Sequence, residues 1–174
     1  MTPVPVSRPE PGEYAPYYER YVSLVPETDL LPTLERQLAE TLAVLRGVTE
    51  EQASSRYAPG KWSVKELLGH MSDTERIFAY RALRFARGDR TPLPGFEQDD
   101  YVRGGHFDSG AWAELVNEFE AVRRATLCLL RPLDEAAWSR RGVASEHEIS
   151  VRALGYIIAG HERHHREILR ARYL

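Results

Sequence analysis

The same local pattern occurs twice in this chain, and that duplication limits its possible folds more than any other feature. Val48-Thr49-Glu50-Glu51 precedes Ser63-Val64-Lys65-Glu66-Leu67, and Leu133-Asp134-Glu135-Ala136 precedes Ser150-Val151-Arg152-Ala153-Leu154. Each copy reads as a long helix, a short acidic-capped turn of helix, and a second capped long helix. In the first copy Ser63 is the N-cap, Glu66 is its capping-box partner, and Trp62 can meet Leu67 across the cap. In the second copy Ser150 is the cap, with Ile149 and Leu154 as the staple pair. Two matched helical hairpins close naturally into a four-helix bundle.

Apolar spacing supports four long helices, expected over 29–47, 64–87, 110–130 and 151–172. The first carries Leu31, Leu34, Leu38, Leu42 and Leu45 on one stripe, with Pro32 tolerated in the first turn. The third carries Trp112, Leu115, Phe119, Val122, Thr126 and Leu129 at three-four spacing. No segment sustains a period of two, so the fold class is all-α and no sheet is expected. The link over 88–109 is long for a bundle loop. Parallel neighbours require such a link, because the chain must return the length of the bundle. The expected topology is up-down-down-up, with the second and third helices parallel.

Ahead of the bundle (28–174), residues 1–27 hold six prolines and Tyr14, Tyr17, Tyr18 and Tyr21. Proline at this density forbids a long helix, and four tyrosines are too much apolar surface for a loose tail. The segment is expected to be an extended arm packed on the body. A formal charge of −3 gives no basic field for nucleic acid. The longest apolar runs are too short to span a bilayer, and the N-terminus lacks the apolar core of a secretory signal. The single Cys128 excludes a disulfide framework and a cysteine-based zinc site, and the expected location is cytoplasmic.

Chemistry resides in the histidines. On the fourth helix Leu154, Ile158, His161, His165 and Ile168 share one stripe, so two imidazoles lie one turn apart in its apolar centre. Side-by-side burial of two polar rings is costly without a common partner, which favours a bound ion over two ordinary core histidines. His70 on the second helix is the candidate third ligand. It lies seven residues after the cap at Ser63, roughly 10 Å along the axis. If the second and fourth helices are antiparallel, His70, His161 and His165 sit at one height near one end of the bundle. Three neutral imidazoles suit one divalent transition ion, Zn, Ni, Fe or Mn, without selecting among them. Three protein ligands leave positions for water, as in catalytic sites, and either water or a thiolate can serve as nucleophile. Gly155 and Gly160 are expected to permit close helix packing beside the site.

His161-Glu162-Arg163-His164-His165 also fits H-E-x-x-H, in which the glutamate is the general base of a zinc protease. Only nine residues follow it, no sheet is expected to hold a peptide, and Glu162 is rotated to the flank, so this reading is set aside. Possible helpers are Asp73, which can orient His70, and Arg81, which can hold an anionic substrate or bridge to another helix. Glu97, with Asp99 and Asp100, belongs to an acidic loop that either lines the pocket mouth or is simply solvated. His164 is on the flank of its helix, His106 and His147 are in exposed connections, and Cys128 points away from its helix stripe.

Several of these segments together resemble the DinB/YfiT-like superfamily of metal-binding four-helix bundles. The resemblance rests on Arg56-Tyr57-Ala58-Pro59-Gly60-Lys61-Trp62-Ser63-Val64, on His70 with Asp73 and Glu75, and on Pro92-Leu93-Pro94-Gly95-Phe96. Gly160-His161-Glu162-Arg163-His164-His165 and the arm Gly12-Glu13-Tyr14-Ala15-Pro16-Tyr17-Tyr18 complete it. It implies a divalent ion on His70, His161 and His165. It also implies a small-molecule substrate, and either metal-dependent hydrolysis or transfer of a low-molecular-weight thiol such as bacillithiol to an electrophile. Pairing of bundle faces in relatives implies a homodimer. The competing reading is a non-catalytic metal- or ligand-binding bundle, acting as a stress-response sensor or dimerisation module.

Overall fold

A computed structural model describes residues 5–174. The first four residues of the expected arm lie outside that range. The four long helices are α2 (Leu30–Leu45), α4 (Val64–Ala86), α6 (Trp112–Leu130) and α8 (Val151–Arg172). Short helices α1 (Glu19–Val22), α3 (Glu50–Ala53), α5 (Gln98–Gly105) and α7 (Glu135–Ser139) punctuate the links. The starts are where the sequence marks them. Ser63 and Glu66 form a reciprocal capping box, Thr49 and Gln52 form another, and the Ser150 side chain accepts from the Ala153 N–H. Each box satisfies two backbone donors that a helix start otherwise leaves open.

Two apolar clusters fix the helix directions. One joins Leu30, Leu31 and Leu34 to Phe78, Ala82 and Phe85, to Leu127 and Leu130, and to Leu154 and Ile158. The other joins Leu38, Leu42 and Leu45 to Leu67 and Met71, to Trp112 and Leu115, and to Leu169. The start of α2 therefore shares an end with the finish of α4, the finish of α6 and the start of α8. This is up-down-down-up, with α4 parallel to α6 and antiparallel to α8. The main helix contacts are α4 with α6 and α8, and α2 with the same two. Around the bundle the order is α2, α6, α4, α8, so the two long helices of each sequence hairpin stand on a diagonal rather than side by side.

One expectation fails. Residues Arg141–Ala144 (β1) and His147–Ser150 (β2) form an antiparallel two-stranded hairpin, with Val143 opposite Glu148. Strands of four residues are too short to show a period of two, and the turn is made by Ser145 and Glu146 rather than by asparagine and glycine. Both turn residues have positive φ, 52° and 67°, the requirement of the tight turn that matches strand twist. The hairpin fixes the crossover. The Leu93 N–H donates to the Val143 carbonyl and the Ser145 N–H to the Leu93 carbonyl, so residues beyond Leu93 are anchored before α5 begins.

The arm packs along α8. The Ser150 N–H donates to the Glu13 carbonyl, the Glu13 carboxylate pairs with Arg152, and the Tyr156 hydroxyl reaches the Val6 carbonyl. Gly155 admits the Leu30 side chain of α2, and Gly160 admits the backbone of the short helix α1, so both permit close helix packing as expected. A Cβ at Gly160 would overlap the carbonyl of Tyr21, so the glycine lets the arm backbone touch α8 beside His161. Backbone cannot swing aside as a side-chain tip can. Gly160→Ala is therefore expected to lose about 1–3 kcal/mol of stability through overpacking. Urea denaturation measures the loss, and faster proteolysis within residues 14–24 should accompany it. Among the described residues no helix is long and apolar enough to cross a membrane.

Candidate metal centre

Because α4 and α8 run in opposite directions, His70 in the second turn of α4 meets His161 at the middle of α8 and His165 one turn further on. All three side chains are buried, and their ligating atoms lie within 4.8 Å of one another. Nε2 of His70 and Nε2 of His165 each stand 3.0 Å from Nε2 of His161. Two nitrogens sharing an ion at about 2.1 Å each would be separated by roughly 3 Å, so the cluster fits a single divalent cation. The donor set is three neutral nitrogens. Burial lowers the pKa of His70 to about 4 and, with the neighbouring imidazoles, holds His161 and His165 well below 6.5. The lone pairs are therefore available at neutral pH.

This burial predicts acid sensitivity. An unfolded histidine titrates near 6.5, whereas folded His70 does so near 4. Between those values the unfolded chain binds more protons, so stability is complete above about pH 6.5 and falls as the pH drops toward 4. Thermal midpoints of metal-free protein measured from pH 7.5 to 4.5 should trace that decline. A flat profile would contradict neutral burial of the cluster.

Aromatic rings enclose the cluster. Trp62 stacks at a tilt on His70, with ring centres 4.8 Å apart, and Tyr21 meets His161 edge-on at 5.3 Å. Phe107 packs its ring on the backbone of the preceding residue, where Gly69 leaves room for it. Thr74 Oγ1 stands 3.4 Å from His70 Nδ1, while His165 Nδ1 has no partner among the described residues. His164 is half-buried against Tyr21 and faces the flank, with ring centres 5.6 Å apart. His70 and His161 open onto a cavity of about 670 Å³ between the arm and the crossover, walled by Tyr17, Tyr18, Phe78, Phe96 and Ser145.

The other expected residues divide. Glu97 and Asp100 are exposed and line that cavity. Asp99 is exposed beside a smaller recess next to His165. Asp73 does not reach His70; it pairs with Arg76 at 3.3 Å on the surface. Arg81 is buried but forms no bridge to a carboxylate among the described residues. It donates instead to the Pro94 carbonyl at 2.8 Å and to Ser145 Oγ at 3.0 Å. His106, His147 and Cys128 are exposed and apart from the cluster.

Glu162 departs furthest from expectation. It is buried at 2% exposure, and the flank it occupies faces protein rather than water. Its carboxylate accepts from Thr41 and pairs with Arg123 at 2.6 Å. Arg123 is wholly buried and also grips Glu75 with two bonds of 2.8 Å. A glutamate committed to this ion-pair network cannot act as the general base of a zinc protease. Arg123 and Glu75 lie within otherwise apolar helix faces, and that misplaced charge was their available signal.

Comparison with known proteins agrees with the geometry. Residues 33–169 match the DinB superfamily. The chain belongs to that family. It is 26% identical over 138 residues to an Oceanobacillus iheyensis protein named "Putative metal-dependent hydrolase OB0413", covering 78% of this chain and 76% of the relative. Its fold is similar to YfiT from Bacillus subtilis, described as "a probable metal-dependent hydrolase with an unusual four-helix bundle topology". That likeness has a TM-score of 0.67 at 14% identity and covers 94% of this chain and 93% of the other. A mycothiol-dependent maleylpyruvate isomerase matches with a TM-score of 0.66 at 15% identity, covering 79% of this chain and 58% of the other. These two structural likenesses concern the fold alone.

Proposed function

We propose that His70, His161 and His165 hold one divalent transition-metal ion at the wall of the 670 Å³ cavity, forming the centre of a small-molecule enzyme. The convergence of three buried neutral imidazole nitrogens carries this reading. Three protein ligands leave coordination positions open, and such an ion supplies Lewis acidity that makes water or a thiol nucleophilic near neutral pH. The chain's own residues supply the rest. Tyr21 and Trp62 keep bulk water from the imidazoles, which sharpens electrostatic effects inside the site. Tyr17, Tyr18 and Phe96 offer apolar contact to a small organic substrate, and Glu97 on the cavity wall can accept the proton of the nucleophile.

Water as the nucleophile is supported by the name of the Oceanobacillus relative. A low-molecular-weight thiol is supported by the mycothiol-dependent isomerase of similar fold. The test uses protein loaded separately with Zn²⁺, Ni²⁺ or Mn²⁺. Each form is assayed on esters and amides, and on monobromobimane with and without bacillithiol. Turnover that depends on the ion and is lost in His161→Ala is expected. Stoichiometric ion binding without turnover of any substrate would favour a binding module instead.

A further inference from the structure

Arg81 is a cation placed where the described fold offers it no counter-charge. It is 2% exposed, yet its partners are a carbonyl and a hydroxyl rather than a carboxylate. Burial of an unneutralised guanidinium is costly, so such a group is kept where an anion completes it. Its surroundings show where that anion would lie. The guanidinium carbon is 5.5 Å from the centre of the Phe78 ring and 5.9 Å from that of Phe96, both of which wall the cavity that begins at His70. Arg81 donates to Ser145 Oγ and stands beside the Tyr18 phenol, whose pKa burial raises and Arg81 partly restrains. Ser145 and Tyr18 both line the cavity. Neither hydroxyl donates its own proton to an acceptor among the described residues. Ser145 is held there by its left-handed backbone, φ 52°, and by its N–H bond to Leu93.

We infer that Ser145 and Tyr18, backed by the buried Arg81 guanidinium, form an anion-recognising end of the cavity, so the substrate carries a carboxylate or similar group. On α4, Arg81 lies eleven residues beyond His70, about 16 Å along the axis, and helical side chains lean back toward the N-terminus. The anionic group and the reacting centre therefore occupy opposite ends of an extended small molecule. Hydroxyl oxygens that accept from a cation turn their protons outward, and charge-assisted bonds of this kind are stronger than neutral ones. Glu97 and Asp100 also border the cavity, but both are exposed at its mouth, where water and salt screen them. This assignment rests on the proposed function only for the identity of the far end; anion binding itself needs no metal.

The test is an NMR titration of metal-free and zinc-loaded protein at fixed ionic strength, with hexanoate and, for comparison, 1-hexanol. Hexanoate is expected to shift the amide signals of Gly95 and Ser145 and to bind at least about tenfold more tightly than hexanol. The Tyr18→Phe/Ser145→Ala double variant, which leaves the buried cation in place, should lose most of that preference. Arg81→Met should abolish it, with the double variant deciding the matter if Arg81→Met fails to fold. Equal binding of the two probes, or hexanoate binding unchanged in the double variant, would overturn the assignment. Failure to bind zinc, nickel or manganese would instead refute the metal centre and leave the hexanoate result on metal-free protein readable.

Discussion

Arg123→Met is expected to destabilise the protein by about 3–5 kcal/mol, a large share of the roughly 5–15 kcal/mol that holds a typical domain folded. Burial disfavours the charged form of Arg123, but Glu162 and Glu75 outweigh burial and raise its pKa above the ordinary value. Removing the guanidinium strands two carboxylates at 2% and 4% exposure, with Thr41 as the remaining side-chain partner of one of them. The cost is chiefly that of unpaired buried charge, so it can be separated from lost packing volume. The triple variant Arg123→Met/Glu75→Gln/Glu162→Gln carries no buried charge in this network and should recover much of the loss. Urea denaturation of the two proteins measures the difference. A loss below about 1 kcal/mol in the single variant would show that the network is solvated rather than buried.

The network also explains the shape of the site. It ties α4, α6, α8 and, through Thr41 and the Leu34 carbonyl, α2 behind the histidine cluster. His161 precedes Glu162 directly, so fixing the glutamate against Arg123 fixes the imidazole about 100° round the helix, on the face where His70 and the cavity lie. Such positioning by a rigid surround is what a preorganised ligand set needs.

Metal loading is expected to produce the second large effect. An ion that binds only the folded state stabilises it by about 4 kcal/mol at a thousandfold excess over its dissociation constant. For a chain of this length that raises the thermal midpoint by roughly 10 °C. His70→Ala, His161→Ala and His165→Ala should each remove the rise, because two imidazoles hold a divalent ion far less tightly than three. Differential scanning calorimetry with and without Zn²⁺ gives the comparison. An equal rise in wild type and all three variants would place the ion elsewhere.

Much of this was legible in the residues. Ser63 with Glu66 and Ser150 with Ile149 mark the two helix starts that carry the ligands. The four-residue step from His161 to His165 fixes one face, and the long 88–109 link gives the parallel placement that brings His70 to their height. What escaped has physical causes. The β1–β2 hairpin is too short for periodicity and turns on Ser145 and Glu146, which propensity does not single out. Part of the crossover forms α5, whose sequence Gln-Asp-Asp-Tyr-Val-Arg-Gly-Gly has only Val102 buried and so no apolar stripe to read. Glu162 looked like a flank residue because helical spacing gives a direction but not what stands there; Arg123 of α6 stands there. Tyr21 is readable as packed, yet its place against His161 depends on Gly160, whose partner is the backbone of the short arm helix α1 rather than one of the four long helices.

The central claim is that three histidines form one ion site, and a calorimetric zinc titration of metal-free protein tests it most directly. The account predicts one Zn²⁺ per chain in wild type and no measurable binding at that site in His161→Ala, with the fold retained by circular dichroism. Wild-type protein that binds no Zn²⁺, Ni²⁺ or Mn²⁺, or a His161→Ala variant that binds as wild type does, would contradict it.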